Sequence, residues 1–227
     1  MDSHDHAVTD MSARTRNLNE LAFDAMDTEA HWYWLGFLLA DGSVFHRRCE
    51  WRLAVSLRES DRDHLEALRE FLGYEAPLEL VSRAAQVRLV VYSMRLCRRL
   101  FELGVVPRKS FDGHPMPVVP NRFAFAFVRG HFDGNGHACK VSPNGYKLGF
   151  AGQHRLMRWM QERLRHLVGV PPGLFYDKGG CAELVYGRRH QVRALARWLY
   201  GFDHDKPGVP HLARKRAVLE PLLEGAA

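Results

Sequence analysis

Asp41 and Asn135 sit at matched places near the ends of two similarly patterned segments, and their side-chain oxygens are the groups best placed to do chemistry. The first segment is Trp34-Leu35-Gly36-Phe37-Leu38-Leu39-Ala40-Asp41-Gly42, and the second is Val128-Arg129-Gly130-His131-Phe132-Asp133-Gly134-Asn135-Gly136. Their glycines and their terminal polar residues are each 94 positions apart (130 − 36 and 135 − 41). Such a duplication predicts a pseudo-two-fold molecule with the two segments at its centre. Gly36 and Gly130 leave room for two helices to pack backbone against backbone, which would bring positions 41 and 135 side by side. Both positions then stand at the negative ends of helix dipoles, where a divalent cation offsets the charge and oxygen ligands favour Mg²⁺ (or Mn²⁺). The second position departs from the pattern, because the amide of Asn135 offers a carbonyl oxygen but no charge.

The elements that must hold these residues follow from periodicity and punctuation. A helix starts near Asp27 or Thr28, either of which can cap it, and runs through Ala40. It is apolar on every side, so it should be buried all round, and Gly42 stands where a left-handed C-cap is usual. Ser43–Phe45 and Trp51–Arg58 read as strands, with Trp51, Leu53, Val55 and Leu57 on one face. A helix over Asp61–Leu72 stops at Gly73. Strands near 78–82 and 86–92 and a helix over Met94–Leu103 complete the first half. The second half repeats the order: a helix near Asn121–Asn135, a hairpin over His137–Val141 and Tyr146–Ala151, and a helix over Arg155–Leu167. Strands near Leu174–Tyr176 and Ala182–Tyr186 follow, then helical segments near Gln191–Tyr200 and Leu212–Leu223. Tyr92 and Tyr186 again differ by 94, so the repeat spans a whole αββαββα unit. The divisions read as a loosely docked arm over 1–26, a first half over 27–114, a Pro-rich linker over 115–120 and a second half over 121–227.

Composition narrows the class. The chain has 227 residues, 46% of them hydrophobic, enough for a core. Lys and Arg number 32 against 26 acids, for a net charge of +6. That charge is compatible with solubility alone, and equally with a polyanionic partner. The four cysteines are scattered, which argues against a zinc site and for reduced thiols in the cytoplasm. The start of the chain lacks the apolar core of a signal peptide, and its longest apolar run is far too short for a membrane span. The run His131–His137 resembles a metal site, but the helix ends inside it and its side chains diverge. Asp133 lies two positions before Asn135, about 200° round the helix, so it does not replace the missing acid.

The two segments resemble the LAGLIDADG motif of the LAGLIDADG homing endonucleases, and the resemblance extends over residues 27–223. Four further stretches are similar to that family: Ser60-Asp61-Arg62-Asp63-His64-Leu65, Leu103 to Ser110, Phe127 to Gly134, and the basic segment His211-Leu212-Ala213-Arg214-Lys215-Arg216. The resemblance implies an α+β fold of two pseudo-symmetric αββαββα halves forming a DNA-binding saddle of antiparallel sheets. It implies a monomer that cuts both strands of a long, asymmetric double-stranded DNA target at two phosphates near the two-fold axis. Divalent ions held by Asp41 and Asn135 would lower the pKa of the attacking water and neutralise the leaving 3′ oxygen. Lys109 and Lys215 are the candidates to polarise solvent or stabilise the phosphorane; plain phosphate or surface contacts are the alternative.

The polar faces of the strands supply the candidate readers of a major groove. In the first half these are Arg47, Arg48, Arg52, Ser56, Arg58, Arg83, Gln86 and Arg88. In the second they are Lys140, Ser142, Asn144, Lys147, Lys178, Arg188 and Arg189. Members of the family that cut carry an acid at both motif ends, so Asn135 implies metal binding weaker by at least about an order of magnitude. Slow cutting, nicking of one strand, and binding without cutting all follow as expectations. The reading from a different class is a non-cleaving binder, either an RNA maturase acting on intron RNA or a DNA-binding regulator.

Overall fold

A capping box starts the first central helix. Thr28 Oγ1 accepts from the His31 N–H at 3.3 Å, and His31 Nδ1 accepts from the Thr28 N–H at 3.2 Å. The helix, α1 (Glu29–Asp41), is buried without a break from Trp32 to Ala40. In this computed structural model, residues 17–81, 84–107, 113–143, 145–201 and 209–223 are described. The first half continues with β1 (Ser43–Arg47), β2 (Glu50–Arg58), a 3-10 turn over Glu59–Asp61 and α2 (Arg62–Phe71). Then come β3 (Glu79–Val81), β4 (Gln86–Tyr92) and α3 (Met94–Glu102). The second half runs from a 3-10 turn over Asn121–Phe123 into α4 (Ala124–Asn135), β5 (His137–Ser142), β6 (Gly145–Gly152) and α5 (His154–Val168). It closes with β7 (Leu174–Asp177), β8 (Ala182–Tyr186), α6 (Arg189–Tyr200) and α7 (Ala213–Leu223). The result is the α+β architecture read from the sequence: two antiparallel four-stranded sheets, ordered β1-β2-β4-β3 and β5-β6-β8-β7.

Period-two alternation explains how each sheet is used. In the first sheet Leu53, Val55, Leu57, Val87, Leu89 and Val91 are buried against the helices. Arg52, Ala54 and Ser56 face the other way, opposite Tyr92, Val90 and Arg88. The core is continuous through both halves, and α1 and α4 lie at its centre.

Three details depart from the sequence reading. Gly42 does not adopt a left-handed conformation; its φ is −73° and its ψ 155°, and Gly136 matches it at −73° and 157°. Glycine is required there by crowding, since a Cβ on Gly42 would stand 2.8 Å from the Leu38 carbonyl oxygen. The 94-residue offset also does not reach the last strands. Tyr92 pairs with Arg52 on the outer face, whereas Tyr186 is buried and pairs with Leu148. A bulge between Lys140 and Ser142 makes the second hairpin one residue longer than the first. In β6 and β8 the true counterpart therefore lies 95 positions along, as for Val91 and Tyr186. Finally, the end of the expected arm is part of the body. Phe23 is fully buried, its carbonyl accepts from Arg99 Nε at 3.0 Å, and the Asn19 N–H donates to the Leu72 carbonyl at 2.8 Å.

Candidate functional site

The two central helices meet at their glycines. A methyl group on Gly36 would fall on the Phe127 carbonyl oxygen, and one on Gly130 would fall on the Tyr33 carbonyl oxygen. These contacts are the same contact twice, since Tyr33 and Phe127, like Gly36 and Gly130, are 94 apart. A methyl on Gly134 would meet Ala40 Cβ. Ala40 and Gly134 are themselves a 94-residue pair, so the pseudo-two-fold axis runs between them. The next residues are Asp41 and Asn135, the last of α1 and α4, both half-buried. In each helix the following glycine N–H donates back to the helix, Gly42 to Leu38 at 2.9 Å and Gly136 to Phe132 at 2.8 Å. The chain then passes directly into β1 or β5. The fold thus places the two motif ends as a matched pair beside the axis, at the inner edge of both sheets.

Lys215 takes a place that neither expectation from sequence described. Its ammonium is buried and donates to the carbonyls of Phe132, Gly134 and Gly136 at 2.6, 2.7 and 2.6 Å. All three N–H groups are spent on the C-terminal end of α4, where a cation is favoured by the helix dipole. Burial pushes its pKa down to about 8, against the carboxylates of Asp133 and Asp41, which favour the charged form. It remains mostly an ammonium at neutral pH.

Asp133 is likewise spent. Its carboxylate is buried and accepts from Tyr33 Oη at 2.6 Å, from Tyr200 Oη and from the Leu212 N–H at 3.0 Å. Tyr33 Oη also contacts His64 Nε2 at 3.1 Å. Because the tyrosine donates to Asp133, His64 must donate to it and is held as the Nε2–H tautomer. Burial next to this carboxylate pushes both tyrosines well above their ordinary pKa. A second bridge joins the halves: Arg214 Nη2 lies 3.1 Å from the buried Asp61 carboxylate. The basic segment after residue 210 is therefore a clasp, tying α4, α2 and α7 together below the motif ends. Sequence spacing gave no signal for Tyr33, His64 or Tyr200, whose partners lie 31 to 100 positions away.

His64 gives the clasp a pH dependence. Burial pushes its pKa down to about 4 from 6.5. Between those values the unfolded chain binds a proton that the folded chain refuses, so stability falls as pH drops through this window. The loss approaches about 3 kcal/mol by pH 4, at roughly 1.4 kcal/mol per tenfold change. Urea melts at pH 7 and pH 4.5 should show it, and His64→Gln should remove most of this slope.

The outward face of the first sheet forms a cleft of about 350 Å³ bounded by Asp41, Ser43, Phe45, Arg52, Ala54, Ser56, Arg88 and Val90. Arg88 Nε donates to Ser56 Oγ at 3.1 Å, and the Arg52 guanidinium lies over the Phe45 ring at 5.1 Å. Arg58 pairs with Gln86 at one end of the sheet, while Arg47 and Arg48 are exposed at the β1–β2 turn. The second sheet is less basic. Lys147 faces outward opposite Cys139, but Lys140 pairs with Tyr146 in the row of Ala138 and Leu148, on the helix side. Ser142 follows the bulge, opposite Gly145 at the turn. Lys178 is 3.3 Å from Glu183. Arg188 and Arg189 are exposed at the start of α6. Lys109, Arg83 and Asn144 lie outside the described residues.

Among the described residues no three His, Cys, Asp or Glu side chains converge to hold a metal on their own. A cation at the motif ends would take the Asp41 carboxylate as its charged ligand, with its remaining places left to neutral oxygens. The α4 end is a poorer fit: Asn135 adds no charge, and the Lys215 ammonium already holds the carbonyls on either side of it. Among the described residues no helix is long and apolar enough to cross a membrane.

No protein-family model and no curated protein sequence matches the chain. Solved structures do match. The LAGLIDADG meganuclease I-AabMI bound to uncleaved DNA aligns with a TM-score of 0.57 at 14% identity, over 84% of this chain and 88% of that one. The homing endonuclease I-DmoI, in mesophilic variants, aligns at 0.57 and 17%, over 85% and 97%. The LAGLIDADG homing endonuclease I-LtrWI bound to target DNA aligns at 0.55 and 12%, over 86% and 88%. At such identities the likeness is one of fold, and the fold is that of the LAGLIDADG homing endonucleases.

Proposed function

We propose that this chain is a site-specific DNA endonuclease of the LAGLIDADG homing type, using one divalent cation, Mg²⁺ or Mn²⁺, held by Asp41. The observation that carries this reading is the position of Asp41. It closes a buried helix beside the pseudo-two-fold axis and opens onto a cleft lined by Arg52, Ser56 and Arg88. Solved structures of the same fold, I-AabMI and I-LtrWI, are bound to DNA. The reaction is hydrolysis: water oxygen bonds to phosphorus, the bond to the 3′ oxygen breaks, and a proton passes through solvent to that oxygen. The cation, when bound, supplies a lowered pKa for the water and charge stabilisation for the phosphorane. Asp41 anchors and orients, the two sheets hold the duplex, and Arg52 and Arg88 meet phosphates or base edges next to the cut.

The experiment is a selection of bound duplexes from a randomised library, followed by incubation of the selected DNA with Mg²⁺. A cut at a fixed position is expected. Selective binding with no cut under Mg²⁺ or Mn²⁺ would leave the non-cleaving binder as the function. The same duplex measures the cleft: Arg88→Ala should weaken binding about 5- to 150-fold, the range for losing one well-made base contact, with an unchanged circular dichroism spectrum. An affinity within twofold of the parent would remove Arg88 from the interface.

A further inference from the structure

We infer that the helical back of the second half, formed by α5 and α6, binds the phosphate backbone of a second DNA duplex while the sheets hold the target. The inference rests on the proposed function only for the duplex on the sheets, and it does not depend on cleavage.

The charge of the molecule is concentrated on these two helices. Together α5 and α6 carry seven arginines and one acid, Glu162, a surplus of six. The whole chain has 32 Lys and Arg against 26 acids, so the remaining residues balance at 25 each (32 less 7, and 26 less 1). The corresponding helices of the first half do not share the bias. There α2 and α3 carry five arginines and four acids, and Arg62, Arg69, Arg95 and Arg99 are paired with carboxylates. Packing asks the same of both helix pairs, since each covers one sheet. The surplus on α5 and α6 therefore has a cause other than the fold.

The arginines face away from the sheet. Helix α5 buries Met157, Met160 and Leu164, and α6 buries Val192, Leu195 and Leu199, over the inner face of β6 and β8. At roughly 3.6 residues per turn, Arg155, Arg158 and Arg165 fall within about 80° of one another, nearly opposite the buried stripe of α5. All three are exposed. Arg189, Arg193 and Arg197 form a second stripe on α6, the neighbouring helix. A duplex lying on the outer face of the sheets does not reach either stripe, so the two surfaces can be filled at once.

The side chains present select the partner. Arginine matches phosphate with a planar fork of donors, and neither helix contains a lysine. Recognition of single strands uses aromatic platforms on which bases stack. Neither helix exposes a Phe, Tyr or Trp: Trp159 packs edge-on against Phe127 at 5.6 Å, Trp198 against Phe125 at 5.2 Å, and Tyr200 is buried. A row of guanidinium groups without base readers or stacking rings suits a duplex backbone, bound regardless of sequence. A protein that searches long DNA for one site can then hold a second segment while it samples the first.

The test is sedimentation of the full protein, in equimolar complex with its selected duplex, after addition of an unrelated duplex of random sequence. A particle of one protein and two duplexes is expected at about 50 mM salt and should dissociate by about 200 mM. Arg155→Gln, Arg158→Gln and Arg165→Gln combined remove three exposed charges and keep good helix formers. This triple variant should hold the unrelated duplex at least about tenfold more weakly. Its salt slope should be shallower by about 2.7, at about 0.9 for each phosphate contact. Its circular dichroism spectrum should be unchanged, and its affinity for the selected duplex should stay within about twofold of the wild type. Absence of a two-duplex particle, or one held equally well by the triple variant, would overturn the inference. So would tighter capture of duplex RNA or of a single strand than of duplex DNA. Loss of selected-duplex affinity in the triple variant would also overturn it, by placing α5 against the target. Failure of the wild type to select any duplex would count against the proposed function instead. The unrelated duplex added to the protein alone would then still read the arginine stripes, through the same tenfold loss in the triple variant.

Discussion

Asp41→Asn is expected to lower the rate of DNA cleavage by at least about 10³-fold while leaving DNA affinity within about threefold of the wild type. The substitution keeps size and hydrogen-bonding capacity but removes the carboxylate charge of Asp41. It makes the two motif ends chemically equal, both amides. The loss belongs to the chemical step, since a ligand that positions and charges the cation acts mainly on the transition state. Binding is carried by the sheet faces, which lie outside the change. Single-turnover cleavage and a fluorescence binding titration on the same duplex separate the two. A parallel fall in affinity and rate would mean that Asp41 holds the fold or the DNA and not the reacting centre.

Gly130→Ala is expected to destabilise the protein by about 4 kcal/mol or more, enough to leave much of it unfolded at 37 °C. The added methyl would collide with the Tyr33 carbonyl oxygen, a backbone atom inside a buried helix, and nothing flexible can give way. Relief requires the central helices to separate, which opens the core and pulls Asp41 and Asn135 apart. Gly36→Ala should behave alike, because Phe127 presents the same atom from the other side. Gly169→Ala is the control. Gly169 caps α5 at φ 72° with open space where a Cβ would go, so only backbone strain of about 1 kcal/mol is expected. Urea denaturation of the three variants should rank them accordingly. A Gly130→Ala protein as stable as the control would disprove the close helix crossing.

What sequence could and could not give follows from the range of the interactions involved. The α1 and α4 helices, the two hairpins and the strand β8 (Ala182–Tyr186) were readable because alternation and helical spacing are local, and because the duplication supplied each signal twice. The crossing at Gly36 and Gly130 was readable because close helix packing leaves a mark in the residue type itself. The bulge at Lys140 was not, since a single extra residue changes no composition. It broke the apparent match between Tyr92 and Tyr186, whereas Lys140 stands on the helix side by alternation from Ala138. The fate of Lys215 was the least legible feature. A lysine after an arginine reads as a surface or catalytic charge, and only the packing of α7 under the end of α4 turns it into a buried cap. The clasp of His64, Tyr33, Asp133 and Tyr200 was invisible for the same reason: each residue type is ordinary, and only the tertiary fold brings the four together.

The most direct measurement is a time course of supercoiled plasmid carrying the selected target, incubated with Mg²⁺ and resolved on a gel. Loss of the supercoiled form is expected, with the break mapping to a fixed position, and with neither break nor conversion in Asp41→Asn. A plasmid that stays supercoiled while fully bound, or one that is still opened at the same site by Asp41→Asn, would contradict a hydrolytic centre at the end of α1.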